Sequence, residues 1–187
     1  EKGKKMNNIE LLKKKHENIQ RMLDVVYKAS LDVLQNDKID VDDLKKMVAF
    51  IRRYADKTHH GKEEKYLFKA MVKDLGGPAE KVIQGGMLIE HDLGRLYVSD
   101  LDEALDSFKE DPSVENKLAI LVAAGSYEHL LRRHIQKENE TFGEKHLPQK
   151  SMEWVEEQSR AFEADAENAA EREYQLQVLK GLEEKYL

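Results

Sequence analysis

His60-Gly61-Lys62-Glu63-Glu64-Lys65-Tyr66-Leu67-Phe68 and His134-Ile135-Gln136-Lys137-Glu138-Asn139-Glu140-Thr141-Phe142 follow one pattern: a His, a Glu four residues later, and a Phe eight residues after the His. Residues four apart on an α-helix share a face, about 6 Å apart along the axis. Each stretch can therefore turn an imidazole nitrogen and a carboxylate toward one metal ion. A single such pair is common on charged helices; two copies with the same downstream Phe point to a shared purpose. The pattern predicts two helices that face one another across a metal site.

Outward from these stretches, the rest of the chain supplies the other walls. Polar loops at Gln35-Asn36-Asp37-Lys38-Ile39-Asp40, at Gly76-Gly77-Pro78 and at Glu110-Asp111-Pro112-Ser113 separate four long segments. Asp40 and Ser113 are placed to cap the helices that follow, and Pro112 stops the one before. Apolar residues recur at helical spacing: Ile9, Leu12, Ile19, Leu23, Val26 and Leu34 in the first segment; Leu44, Met47, Val48 and Ile51 in the second; Met87, Leu88, Leu101, Leu105 and Phe108 in the third; Leu118, Leu121, Val122, Leu130 and Leu131 in the fourth. The expected fold is all-α: an up-down-up-down four-helix bundle over residues 6–148, with Met6 as its natural start, and a C-terminal helical extension over 149–187. In that extension Trp154, Val155, Phe162, Leu176, Leu179 and Leu182 suit a fifth helix lying on the bundle; a helix for homo-oligomerisation or partner docking is the alternative.

Composition agrees. Charged residues make up 36% and aromatics 7% of the 187, with three prolines, which favours long solvated helices over a β-sandwich. A net charge of -6 argues against a nucleic-acid partner. The absence of cysteine excludes disulfides, iron–sulfur clusters and thiolate zinc sites. No apolar run approaches the roughly 18–20 residues of a membrane span, and no signal-peptide core opens the chain, so the expected location is cytoplasmic and no membrane partner is expected.

Two further histidines join the pattern. His16 and His60 lie 44 positions apart and His91 and His134 lie 43 apart. With the loops above as turning points, all four fall at a common height in the bundle at about 1.5 Å per residue. One His from each of helices 1 and 3, and a His plus a Glu from each of helices 2 and 4, would converge on the axis. Four imidazoles and two carboxylates are too many for one tetrahedral zinc and too rich in nitrogen for calcium or magnesium. They suit a pair of iron ions, with zinc or manganese able to take the same frame. Paired Glu-x-x-His motifs of the ferritin-like carboxylate centres are missing, as is His-Glu-x-x-His.

With Lys15-His16-Glu17-Asn18-Ile19, His59 through Glu64 with Leu67-Phe68, Met87-Leu88-Ile89-Glu90-His91 with Gly94-Arg95, and His134 through Glu138 with Phe142, the chain resembles the hemerythrin-like, or HHE cation-binding, family across roughly Met6 to Pro148. The resemblance implies a four-helix bundle around a non-haem di-iron centre with oxo or hydroxo and carboxylate bridges, its ligands His16, His60, Glu64, His91, His134 and Glu138. Oxygen-carrying hemerythrins have a second His one turn after the helix-3 His, where this chain has Arg95. The four-His, two-Glu set is more similar to the branch that includes iron-centre repair proteins and iron-sensing domains. The implied function is a di-iron protein that binds, senses or reacts with oxygen, nitric oxide or peroxide. The alternatives are an iron-responsive or storage module, a di-iron peroxide or nitric oxide reductase, and an iron-centre repair protein. No electron donor is identified by the sequence.

Several residues stay open. His59 and Glu63 form an i, i+4 pair of their own, so the register of the helix-2 motif has two solutions. Tyr127, two turns before His134, is either a pocket tyrosine or a core one; Tyr27 and Tyr54 have weaker claims. His129 points to another face, and His146 suits the end of helix 4. Arg95 either pairs with a carboxylate near the site or extends to solvent. Gly85-Gly86 reads as a loop or helix entry.

Overall fold

The computed structural model describes residues 8–141 and 147–187, with the side chains of 8–12 left aside. Met6, Phe142 and His146 lie outside the described residues. Among the described residues there are six helices: α1 (Asn8–Asn36), α2 (residues 41–75), α3 (residues 77–110), α4 (Val114–Thr141), α5 (Gln149–Ala164) and α6 (Ala166–Tyr186). Among the described residues there is no strand, and no helix is long and apolar enough to cross a membrane. The first four helices form the bundle, and α5 and α6 lie on it.

The turns follow from their side chains. Asp37 takes a left-handed backbone (φ 54°), a conformation short polar side chains tolerate, and Asp40 accepts the Asp43 N–H at 3.0 Å to start α2. Gly76 joins α2 to α3 at φ 68°, ψ -149°, a region open to glycine alone, and Pro78 sits in the first turn beyond it. Ser113 Oγ accepts the Asn116 N–H at the start of α4. The tail is two helices rather than one. Asp165 adopts an extended backbone, and its carboxylate accepts the N–H groups of Glu167 and Asn168, both at 3.1 Å, so α6 starts afresh there.

Two apolar clusters hold the bundle. The larger combines Ile19, Leu23 and Val26 of α1 with Leu44, Met47 and Ile51 of α2, Leu101 and Leu105 of α3, Ile120 and Leu131 of α4, and Leu179 and Leu182 of α6. The smaller contains Leu67, Phe68 and Met71 of α2, Ile83 and Met87 of α3, and Val155 of α5. Leu179 and Leu182 are essentially fully buried, each contributing about 1.5–3 kcal/mol, so the tail is part of the core. Arg21 of α1 reinforces this by donating twice to the Glu183 carboxylate, at 2.7 and 2.6 Å. Leu34, Leu118 and Val122 are exposed instead of core. In α4 the buried stripe runs Ile120, Ala123, Ala124, Tyr127, Leu131, and Leu118 and Val122 fall to one side of it.

Along α2 the large cluster, then buried polar side chains, then the small cluster follow in order; along α3 the order is reversed. A polar layer is thereby held between two apolar ones.

Candidate metal centre

That layer is built from α1, α2, α3 and α4. His16, His59, His60, Glu63, His91, His134 and Glu138 are all buried, none more than 4% exposed. Their donor atoms fall into two groups whose members lie within 4.8 Å of one another: His60, Glu63, His91 and His134 in one, which we term position A, and His16, His59, Glu63 and Glu138 in the other, position B.

The carboxylates link the groups. Glu138 Oε1 is 3.2 Å from His134 Nε2 on the A side, while its Oε2 is 3.1 Å from His16 Nε2 on the B side. Glu63 Oε2 is 3.7 Å from His91 Nε2, and its Oε1 is 3.3 Å from His59 Nε2. Each carboxylate thus turns one oxygen to each group. Such an arrangement suits a bridge between two ions.

Sequence pattern and geometry part company at one point. His16, His60, His91, His134 and Glu138 are brought together, whereas Glu64 lies outside both groups, accepting from His91 Nδ1 at 2.7 Å and from Arg95 at 2.7 Å. His59 and Glu63 enter instead. The cause is local: α2 switches to π-type hydrogen bonding over Ile51–His60 and again over Glu63–Leu67. The N–H groups of Gly61 and Phe68 reach the carbonyls five residues back, at Asp56 and Glu63. A wider turn rotates successive residues through less than the α-helical angle. His59 and His60, adjacent in sequence, can then both face inward. The overlapping His59–Glu63 spacing was the available signal, together with a Lys immediately before the Glu in both Lys62-Glu63 and Lys137-Glu138.

Polar satisfaction tests whether metal fits. Among the described residues, the buried atoms without a hydrogen-bond partner include His16 Nε2, both ring nitrogens of His59, His60 Nε2, Glu63 Oε2 and both Glu138 oxygens. Each buried polar atom left alone costs about 1–3 kcal/mol, so their concentration here marks a place for a compensating ligand. His91 Nε2 and His134 Nε2 face each other at 3.1 Å, about the separation of two nitrogens that each bind one ion at about 2.1 Å and at right angles. Imidazole and carboxylate donors suit iron, zinc and manganese alike. The residues fit.

Electrostatics show how much charge the layer is built to balance. Burial works against protonated His16, but Glu138 and Glu63 outweigh it and raise its pKa to about 10. Burial is likewise overcome at His91, raised to about 9 by Glu138 and Glu64. Burial and the charge of His91 push His60 down to about 3. Burial also favours the protonated form of Glu138, yet the His134, His16 and His91 rings hold it well below the usual carboxylate range. Burial and the neighbouring charge of Glu138 push Glu63 the other way, upward, so the layer crowds two carboxylates that cations between them would relieve.

Beside position A is a cavity of about 270 Å³ lined by Asp56, His60, His91, Gly94, Arg95 and Tyr127, among others. The Tyr127 hydroxyl is buried without a hydrogen-bond partner. A Cβ on Gly94 would make ordinary van der Waals contact with Leu131 at 3.5 Å and Tyr127 at 3.7 Å, so this stretch of α3 packs closely on α4 beside the cavity. Arg95 bridges Asp56 and Glu64 at the cavity edge. His129 is exposed, as expected from its face, Tyr27 is half-exposed, and Tyr54 is a core residue whose hydroxyl accepts from Asn18.

Residues 7–145 match the model of the hemerythrin HHE cation binding domain, most of the chain. No curated protein and no solved structure matches the chain significantly.

Proposed function

The chain belongs to the hemerythrin HHE cation-binding family, and on that premise we propose that it holds two iron ions and binds, senses or reacts with a small molecule such as oxygen, nitric oxide or peroxide. The observation that supports this reading most directly is the pair of buried donor groups linked through Glu63 and Glu138. The ligand set we propose is His60, His91 and His134 at position A and His16 and His59 at position B, with Glu63 and Glu138 bridging. Glu64 then acts behind His91 instead of on metal.

Two iron ions, when bound, supply electrons and coordination positions to a small oxidant. The chain does the rest. The two apolar clusters on either side of the layer limit water. The cavity at His60 and His91 offers volume for a molecule of a few atoms. Tyr127 brings an O–H with no other partner to that space, able to donate a hydrogen bond to an oxygen or nitrogen bound there. Burial raises the Tyr127 pKa, which keeps that proton on the oxygen.

A second reading, an iron-responsive module, draws on a different observation. Lys15 and Lys62, the chain neighbours of His16 and Glu63, are buried and both pair with Glu163 of α5. Metal at the ligands would thereby bear on how the tail sits.

The decisive experiment is metal analysis by mass spectrometry after anaerobic reconstitution with ferrous iron and removal of excess. About two iron atoms per chain, with an absorption spectrum that changes on adding oxygen or nitric oxide, is the expected result. Two irons with no spectral response, but with iron-dependent protection of residues 149–187 from hydrogen exchange, would favour the responsive module. A value near zero would overturn both.

A further inference from the structure

We propose that the two metal positions are unequal because of what stands behind the histidines: position A, backed by carboxylates, fills first and empties last. The inference rests on the two-ion reading above and concerns residues outside the ligand set.

A metal-binding imidazole uses one ring nitrogen for the ion, and the group that accepts the other N–H fixes its tautomer and orientation and makes it a stronger donor. Every histidine of position A faces a carboxylate on its far nitrogen. His91 Nδ1 meets Glu64 Oε1 at 2.7 Å, and His134 Nδ1 meets Glu90 Oε2 at 2.9 Å. His60 Nδ1 is 3.6 Å from Asp56 Oδ1, an ion-pair contact looser than a hydrogen bond. These acids are held in turn: Arg95 donates to Asp56 at 2.9 Å and to Glu64 at 2.7 Å, and Lys137 pairs with Glu90.

Position B has none of this. His16 Nδ1 meets the neutral side-chain oxygen of Asn139 at 2.8 Å, and His59 Nδ1 has no hydrogen-bond partner. Position A therefore has three nitrogen donors with a carboxylate behind each, and position B has two, one backed by an amide and one, His59, with no hydrogen-bond acceptor behind it. Both share the oxygens of Glu63 and Glu138, so the difference lies in the imidazoles and their partners. Glu64, Glu90 and Asp56 are positioning residues, acting on metal through His91, His134 and His60.

Repulsion between neighbouring ions separates two binding steps whichever position fills first, so the order is read from variants. In an anaerobic calorimetric titration of the metal-free full chain with ferrous iron, the wild type should take up one ion per chain tightly and a second more weakly. Glu90→Gln and Glu64→Gln should weaken the first step about 10–100-fold while the second step and the total of two stay near wild type. Asn139→Ala should weaken only the second step. A purely structural effect of these partly exposed residues would shift both steps together. Two ions in equal steps, or Glu90→Gln and Glu64→Gln acting on the second step alone, would overturn the inequality and leave the two-ion reading intact. No uptake by the wild type would overturn the reading beneath it as well.

Discussion

The two His-x-x-x-Glu stretches are alike in sequence and unlike in structure. In α4 the helix stays regular, and His134 and Glu138, four apart, enter the same polar layer. In α2 the π-type turns shift the register: His59, His60 and Glu63 enter, and Glu64 moves outward to hold the back of His91. Even the neighbouring lysines differ. Lys137 is half-exposed and pairs with Glu90, while Lys62 is buried and pairs with Glu163 of the tail. A spacing motif fixes which residues can share a face only once the helix geometry is known, and two stretches of different hydrogen bonding bring in His59 and Glu63, which the motif leaves out.

The largest effect is expected where the two stretches agree on function. Glu138→Gln keeps shape and burial but removes the charge that both groups share, and iron retained after reconstitution should fall below half of wild type by mass spectrometry. Retention of the full amount would detach Glu138 from the centre.

Next comes the contrast itself. If π-type register governs, Glu63→Gln should behave like Glu138→Gln, while Glu64→Gln keeps its stoichiometry. If the shared pattern governs, Glu64→Gln is the variant that loses iron. The same metal analysis on both decides between them.

A smaller effect probes what holds the register. Thr58 Oγ1 donates to the Arg53 carbonyl five residues back at 2.8 Å, bracing the wide turn. Thr58→Val should cost about 1 kcal/mol, seen as a lower thermal midpoint of the metal-free protein. An unchanged midpoint would mean that packing alone sustains the turn.

The smallest concerns the Lys62 side of the contrast. Burial disfavours the charged Glu163, but Lys62 and Lys15 overcome it and hold its pKa at about 2. A carboxyl depressed in the folded state contributes stability above its unfolded pKa of about 4.3 and loses it as pH falls toward about 2. Fluorescence of Trp154, on the same helix and edge-on to Tyr66 at 6.1 Å, should report the tail loosening across that window. Glu163→Gln should flatten the pH dependence; an unaltered acid transition would show that the tail's other contacts, Val155, Leu179 and Leu182 among them, carry its docking without Glu163.

Much of the molecule was legible in residue order. Helical spacing and the loops at 35–40, 76–78 and 110–113 delimit four bundle helices, because capping side chains and apolar periodicity act locally. His16, His91, His134 and Glu138 could be placed at one height for the same reason: rise per residue is nearly constant. The tail was less legible. Its apolar spacing suits one helix, and the break at Asp165 depends on whether that carboxylate caps a new helix or points to solvent. Leu118 and Val122 lie beside the buried stripe of α4, since a periodicity permits neighbouring faces and only the partner helices select one.

By itself, then, the sequence determined the helices, their order and the presence of a layer of histidines and carboxylates across them. What only the tertiary structure decided was the register at residues 59–64 and the partners behind each imidazole. Both depend on long-range packing: the wide turns of α2 place His59 and His60 together against His16, His91 and His134 from three other helices, and Arg95 brings Asp56 and Glu64 of α2 to one point from α3. Local spacing cannot encode such choices, because a helix takes the hydrogen-bonding period that its neighbours favour.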